Sequence, residues 1–179
     1  MNTISPATHD FMRRRNSGFT LVEILIVVVI LGILASIVIP QFSNASAQAR
    51  ENTLKDELRY LRTQITVFAA QHRDKPPGFP DGDTSTCPSN DTAFVEQMTM
   101  FTDEACEVSN SKTSTHKYGP YLSRIPVNPI NGNASILITI TDMTPNSTDG
   151  HGWIYNPDTR QITANLVGTD SSGVEFSSY

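Results

Sequence analysis

Residues 13–39 read RRRNSGFTLVEILIVVVILGILASIVI, and the organisation of the whole chain follows from this stretch. From Phe19 to Ile39 it holds 21 residues with one ionisable side chain, Glu23. At about 1.5 Å per helical residue the run spans roughly 30 Å, enough to cross the hydrocarbon of a bilayer. Arg13, Arg14 and Arg15 stand just ahead of it, and a basic cluster in that place keeps its end of the segment cytoplasmic. Residues 1–12 are polar and mixed, without periodicity, and read as a disordered cytoplasmic leader.

Beyond the apolar run comes Pro40, which removes a backbone donor and is expected to kink or loosen a helix that otherwise continues. The continuation shows in the spacing: Leu54, Leu58, Leu61, Ile65 and Phe68 lie on one helical stripe, while Lys55, Asp56, Glu57, Arg59 and Arg62 occupy the remainder. This half is amphipathic, so its stripe needs a cover from later in the chain. The helix must end before Pro76-Pro77-Gly78. From Phe19 to about His72 it would be roughly 80 Å long, far beyond the usual globular helix.

A long irregular region rich in Pro, Gly, Asp, Asn, Ser and Thr runs to about Pro129, with one short helix expected at Ala93 to Met100. Strand signals gather at the end: Ile136, Ile138 and Ile140 in alternation, then Trp153 to Tyr155, then Ile162, Ala164 and Leu166. Asn156-Pro157-Asp158-Thr159 suits a turn with proline in its second position. The expected sheet is a final hairpin plus at least one further antiparallel strand, and its apolar face is the natural cover for the stripe. The fold class is therefore α+β, one long N-terminal helix packed on a small C-terminal antiparallel sheet.

The chain has 179 residues, a formal net charge of -5 and a pI near 5.2. That length fits one globular domain with an anchor. The acidic balance argues against a general nucleic-acid binder, which needs clustered Lys and Arg. No phosphate-binding glycine loop or nucleophile elbow occurs, and no catalytic residue is assigned. His72, His116 and His151 lack metal-ligand spacing and are expected to be solvated, so no metal site is assigned either. Cys87 and Cys106 lie in one polar, loop-like stretch of a chain with an export signal, which favours a disulfide between them over two free thiols.

Arg13-Arg14-Arg15-Asn16-Ser17-Gly18, followed by Phe19-Thr20-Leu21-Val22-Glu23 and the apolar run, resembles the class III signal of type IV prepilins and pseudopilins. The resemblance implies that a membrane-embedded prepilin peptidase cuts after Gly18 and that Phe19 becomes the N-methylated first residue. Glu23 is then the fifth residue of the mature chain and matches the family's assembly glutamate. A carboxylate inside a membrane segment costs roughly 2.5 to 3.5 kcal/mol, so it needs a partner, for which the N-terminal amine of a neighbouring subunit is the family's candidate. The alternative is a glutamate that snorkels to the headgroups, one turn from the helix start.

Gly119-Pro120-Tyr121-Leu122, Pro126-Val127-Asn128-Pro129 and Gly152-Trp153-Ile154-Tyr155-Asn156 extend the resemblance to pseudopilins related to the major type II secretion subunit. Several of these bind calcium in C-terminal loops. Asp170-Ser171-Ser172-Gly173 occupies a comparable place but forms no recognisable ligand series, so no cofactor is expected. The implied division is a leader over 1–18, a membrane and filament-core helix over 19–39, its amphipathic continuation over 40–73, and an exported region over 74–179. The implied role is a non-enzymatic, filament-forming secretion pseudopilin of the cytoplasmic membrane, its C-terminal region exported. Its partners would be copies of itself, other pseudopilins, the prepilin peptidase and an inner-membrane platform driven by a cytoplasmic ATPase. The same signal also serves type IV pilus subunits. A rival reading is a secretory or twin-arginine signal peptide cut after Ala45-Ser46-Ala47 to release a soluble protein.

Overall fold

The computed structural model describes residues 18–84 and 89–179. All of the expected leader except Gly18 lies outside them. The elements are α1 (Leu21–Gln71), α2 (Asp91–Thr99), β1 (Phe101–Thr102), β2 (Val108–Ser109), β3 (Ile136–Ile138), β4 (Trp153–Asn156) and β5 (Gln161–Ala164), with short 3-10 turns at Pro80–Gly82 and Phe176–Ser178. The chain divides into two compact units, Met1–Phe42 and Ser43–Tyr179.

In the first unit the described chain is almost wholly helix. Its large apolar side chains from Leu21 to Phe42 are all 44% or more exposed, so no described residue of this unit covers them. Among the described residues α1 is the one helix long and apolar enough to cross a membrane. The helix assignment continues through Pro40.

In the second unit the expected stripe is the centre of the core. Leu54, Leu58, Leu61, Ile65 and Phe68 are all at most 1% exposed. They pack in one cluster with Phe94 and Met98 of α2, Tyr121, Leu122 and Ile125 of the following loop, and Ile136, Trp153, Tyr155, Ile162 and Ala164 of the sheet. Burying five such side chains is worth about 8 to 15 kcal/mol as an upper bound. Helix α1 ends where Arg73 and Asp74 turn left-handed (φ 55° and 66°) and the Asp74 N–H bonds back to the Ala69 carbonyl at 2.9 Å, two residues before the prolines. Asn90 caps α2, its side chain accepting from the Ala93 N–H at 2.8 Å, so this helix begins two residues ahead of the expected Ala93.

The hairpin forms as the sequence indicates: Tyr155 faces Ile162 and Asn156 faces Gln161 across antiparallel β4 and β5. Asn156 Oδ1 accepts from the Asp158 and Thr159 N–H groups, shaping the turn around Pro157. The third strand departs from expectation, because β3 pairs with β4 in parallel, Ile136 opposite Trp153. The segment from Thr139 to Gly152 is long enough to carry the chain back to the starting end of the sheet, which a parallel pairing requires. Ile140 falls beyond the strand and is 59% exposed. A second, two-stranded antiparallel pair, β1 with β2, lies in the region read as irregular.

The three C-terminal sequence blocks meet around β4. Trp153 Nε1–H donates to the Pro126 carbonyl at 2.9 Å, and the Asn128 side-chain amide donates to the Gly152 carbonyl at 2.9 Å. A Cβ at Gly152 would stand 2.1 Å from the Asn133 carbonyl oxygen, so only glycine fits where that loop crosses the strand. Tyr121 donates its hydroxyl to Gln71 Oε1 at 2.6 Å, tying the Gly119–Leu122 block to the end of α1.

His72 is not solvated, contrary to expectation. It continues the stripe one turn past Phe68, is fully buried and stacks on that ring with centroids 3.9 Å apart. Its Nδ1 lies 2.7 Å from the Phe68 carbonyl and therefore carries the proton, leaving Nε2 to accept from the Thr102 hydroxyl at 3.0 Å. Burial, the largest influence, and the nearby Lys75 hold its pKa below the ordinary value; hydrogen bonding to Phe68 and the charge of Asp103 oppose them. The neutral ring is favoured in the folded state, so the unfolded chain binds more protons below its ordinary pKa of about 6.5. The His72 contribution should be complete above that pH and decline as pH falls from there toward the folded value. Urea denaturation at neutral and mildly acidic pH should show a smaller loss on acidification for His72→Gln than for wild type. Equal losses would show that His72 does not titrate on unfolding.

Candidate functional site

The first turn of α1 gathers the three residues singled out for processing and assembly. Gly18 and Phe19 precede the helix, and Phe19 is 79% exposed. Thr20 is the residue before the first helical one, and its hydroxyl accepts from the Glu23 N–H at 3.2 Å. Glu23 Oε2 in return accepts from the Thr20 N–H at 3.4 Å. This reciprocal pair is a capping box, a role for Glu23 that the charge argument missed although Thr-x-x-Glu is legible in the sequence. The carboxylate also sits at the positive end of the helix dipole, where an acid is stabilised. Chemically the turn presents one capped carboxylate with a wholly apolar helix behind it. It holds no nucleophile paired with a base.

The candidate calcium loop is built differently from a cation site. Asp170 points inward, with its side chain 2% exposed. Its Oδ1 accepts from the Ser172 and Val174 N–H groups, both at 2.8 Å. Its Oδ2 accepts from the Tyr179 hydroxyl and from Lys55 Nζ at 3.4 Å. These donors, the Tyr179 hydroxyl foremost, hold its pKa down at about 2. A carboxylate offers about four lone-pair sites, and all are engaged, so this loop does not fit a calcium ion. Lys55 and Arg62 had been read as part of the solvated face. Arg62 instead donates to the Ile162 carbonyl at 3.0 Å and to the Tyr179 carbonyl.

His116 is brought together with Asp103 and Glu107, their ligand atoms all within 4.8 Å of one another. The geometry belongs to the loop itself: Asp103 Oδ1 already accepts from the Ala105 and Glu107 N–H groups, and His116 Nδ1 contacts the Thr113 and Thr115 hydroxyls. His151 is half-buried beside Asp149 at 3.3 Å. Cys106 is 1% exposed; Cys87, its expected disulfide partner, lies outside the described residues.

Residues 13–39 match the family model of the prokaryotic N-terminal methylation motif. Over 56 residues, 31% of this chain and 39% of the relative, the sequence is 43% identical to the type II secretion system core protein G of Pseudomonas aeruginosa. Over 60 residues, 33% of this chain and 27% of the relative, it is 45% identical to the type IV major pilin protein PilA of Myxococcus xanthus. A longer match reaches core protein G of Vibrio cholerae, at 28% identity over 116 residues, 65% of this chain and 66% of that protein. The first two matches thus span less than half the length of those relatives. No solved structure matches the chain. The family-model match covers the segment that carries Gly18, Phe19 and Glu23.

Proposed function

We propose that this chain, which bears the prokaryotic N-terminal methylation motif over residues 13–39, is a structural subunit of a pilus-like filament and acts as a type II secretion pseudopilin. One observation carries the reading: the motif runs directly into a helix whose apolar side chains from Leu21 to Phe42 are exposed among the described residues. Apolar surface on that scale belongs in a membrane or against other copies of itself, and a filament subunit needs both in succession. The arginines at 13–15 hold the leader in the cytoplasm, so the region after the helix is exported. A prepilin peptidase removes the leader after Gly18 and methylates Phe19. An inner-membrane platform, powered by a separate cytoplasmic ATPase, then lifts the subunit into the growing filament. The chain itself catalyses nothing.

The secretion reading is preferred to a type IV pilus subunit because the alignment with a core protein G extends over 65% of the chain, whereas the pilin match covers 33% of it. The rival signal-peptide cut after Ala47 is disfavoured because Ala45-Ser46-Ala47 lies inside α1. N-terminal sequencing of the mature protein from membranes separates these readings. The expected first residue is N-methylated Phe19. A chain beginning at Gln48 would overturn the filament proposal and restore that of a soluble exported protein.

A further inference from the structure

The segment after β5 folds back on α1 through a compact turn. Thr169 bridges to Glu175, the Asp170 N–H bonds to the Val174 carbonyl at 2.8 Å, and the Gly173 N–H to the Asp170 carbonyl at 3.0 Å. Two side chains one helical turn apart on α1 grip this turn. Glu51, itself buried, accepts from the Ser171 N–H at 2.9 Å and from the Ser171 hydroxyl at 2.7 Å. Lys55 places its ammonium 3.4 Å from Asp170 Oδ2 and 4.2 Å from the centroid of the Tyr179 ring, whose hydroxyl bonds the same carboxylate oxygen.

The ammonium therefore stands at the free edge of a carboxylate whose other positions are taken by backbone and hydroxyl donors. A divalent ion would need six to eight oxygens there. Both carboxylate oxygens of Glu51 and both of Asp170 are already engaged by donors of this chain.

We propose that Lys55 is the built-in cation that closes the 169–175 turn on α1, so that this turn is held to the helix without a divalent metal. The inference rests on Ser43–Tyr179 alone and does not depend on the filament reading. The ammonium neutralises Asp170 and fills the open side of the turn with the Tyr179 ring, while Glu51 holds the adjacent Ser171. Together they fix the C-terminal segment against the same helix that carries the core stripe.

The test uses the full chain in detergent, with thermal melting and amide hydrogen exchange as readouts. Wild type should show the same exchange at the Ser171, Ser172 and Val174 amides in excess EGTA and in excess calcium chloride. Lys55→Ser should lower the midpoint by several degrees and speed exchange at the Ser171, Ser172 and Val174 amides, while Lys55→Arg should retain most of the wild-type behaviour. Lys55 is partly exposed, so the serine variant is expected to fold. Wild-type exchange at those three amides slowed by calcium and quickened by EGTA would show that a metal closes the turn. A Lys55→Ser variant with wild-type melting and wild-type exchange would show that the ammonium closes nothing. Either result overturns the proposal.

Discussion

Replacing Leu61 with Asp is expected to unfold the unit Ser43–Tyr179 while leaving membrane insertion intact. Leu61 is fully buried at the middle of the stripe, in the cluster that includes Phe94, Tyr121, Trp153 and Ile162. Truncating a core leucine to alanine alone costs about 2 to 5 kcal/mol. Aspartate adds a carboxyl group with no hydrogen-bonding partner, and its burial must be avoided by protonation or by opening the core. A domain of this size is stable by about 5 to 15 kcal/mol, so the sum removes most or all of the margin. Insertion depends on the apolar residues 19–39, which the substitution does not touch. Protease digestion of the mutant in membranes opened to the protease on both faces should destroy the unit Ser43–Tyr179 and spare the apolar helix. Arg59→Asp is the control, since its side chain lies on the same helix but is 80% exposed. Ile65→Asp should repeat the Leu61 result. Wild-type protease resistance in both stripe mutants would show that the stripe is not the core.

The stripe was legible because a helix under a sheet imposes a 3.6-residue period that apolar residues must obey. Its two ends were not. Glu51 and His72 sit at the same spacing and are also buried, but a polar residue on an apolar face carries no periodic signal of its own. Lys55 and Arg62 were hidden by a related ambiguity: long basic side chains look solvated by position, and their stems can still run along apolar surface to a distant acceptor. The hairpin could be read from Asn156-Pro157-Asp158-Thr159 because a tight turn writes its geometry into four residues. The direction of β3 could not, since alternation is the same in parallel and antiparallel strands and only the crossover length differs. Two-residue strands such as β1 and β2 have no period at all. Gly18, Phe19 and Glu23 lie together simply because they are neighbours in the chain. What the sequence obscured was the second use of Glu23, as the reciprocal cap of Thr20.

That second use sharpens the substitution with the largest expected functional effect, Glu23→Gln. A capping box accepts Gln as well as Glu at its third helical position, so the amide keeps the contact with the Thr20 N–H and the start of α1 is preserved. The charge alone is deleted. Removing a charge from an apolar segment lowers the cost of placing it in the bilayer, so insertion and cleavage after Gly18 should proceed as in wild type. Under the filament proposal, cleavage would leave a positive amine on Phe19 at the positive end of the helix dipole, where a cation is disfavoured before any packing occurs. In the proposed bundle of apolar helices that amine would enter a low-dielectric core and require a counter-charge, which the carboxylate of a neighbouring copy would supply. An unpaired buried charge costs about 3 to 5 kcal/mol, more than enough for a tenfold loss of assembly. Comparing processed protein in membranes with protein in sheared filaments, or with secretion output, should therefore show normal amounts of the first and about tenfold less of the second. Full filament yield from Glu23→Gln would mean that the helix cap is the whole role of this residue, with assembly driven by apolar packing alone.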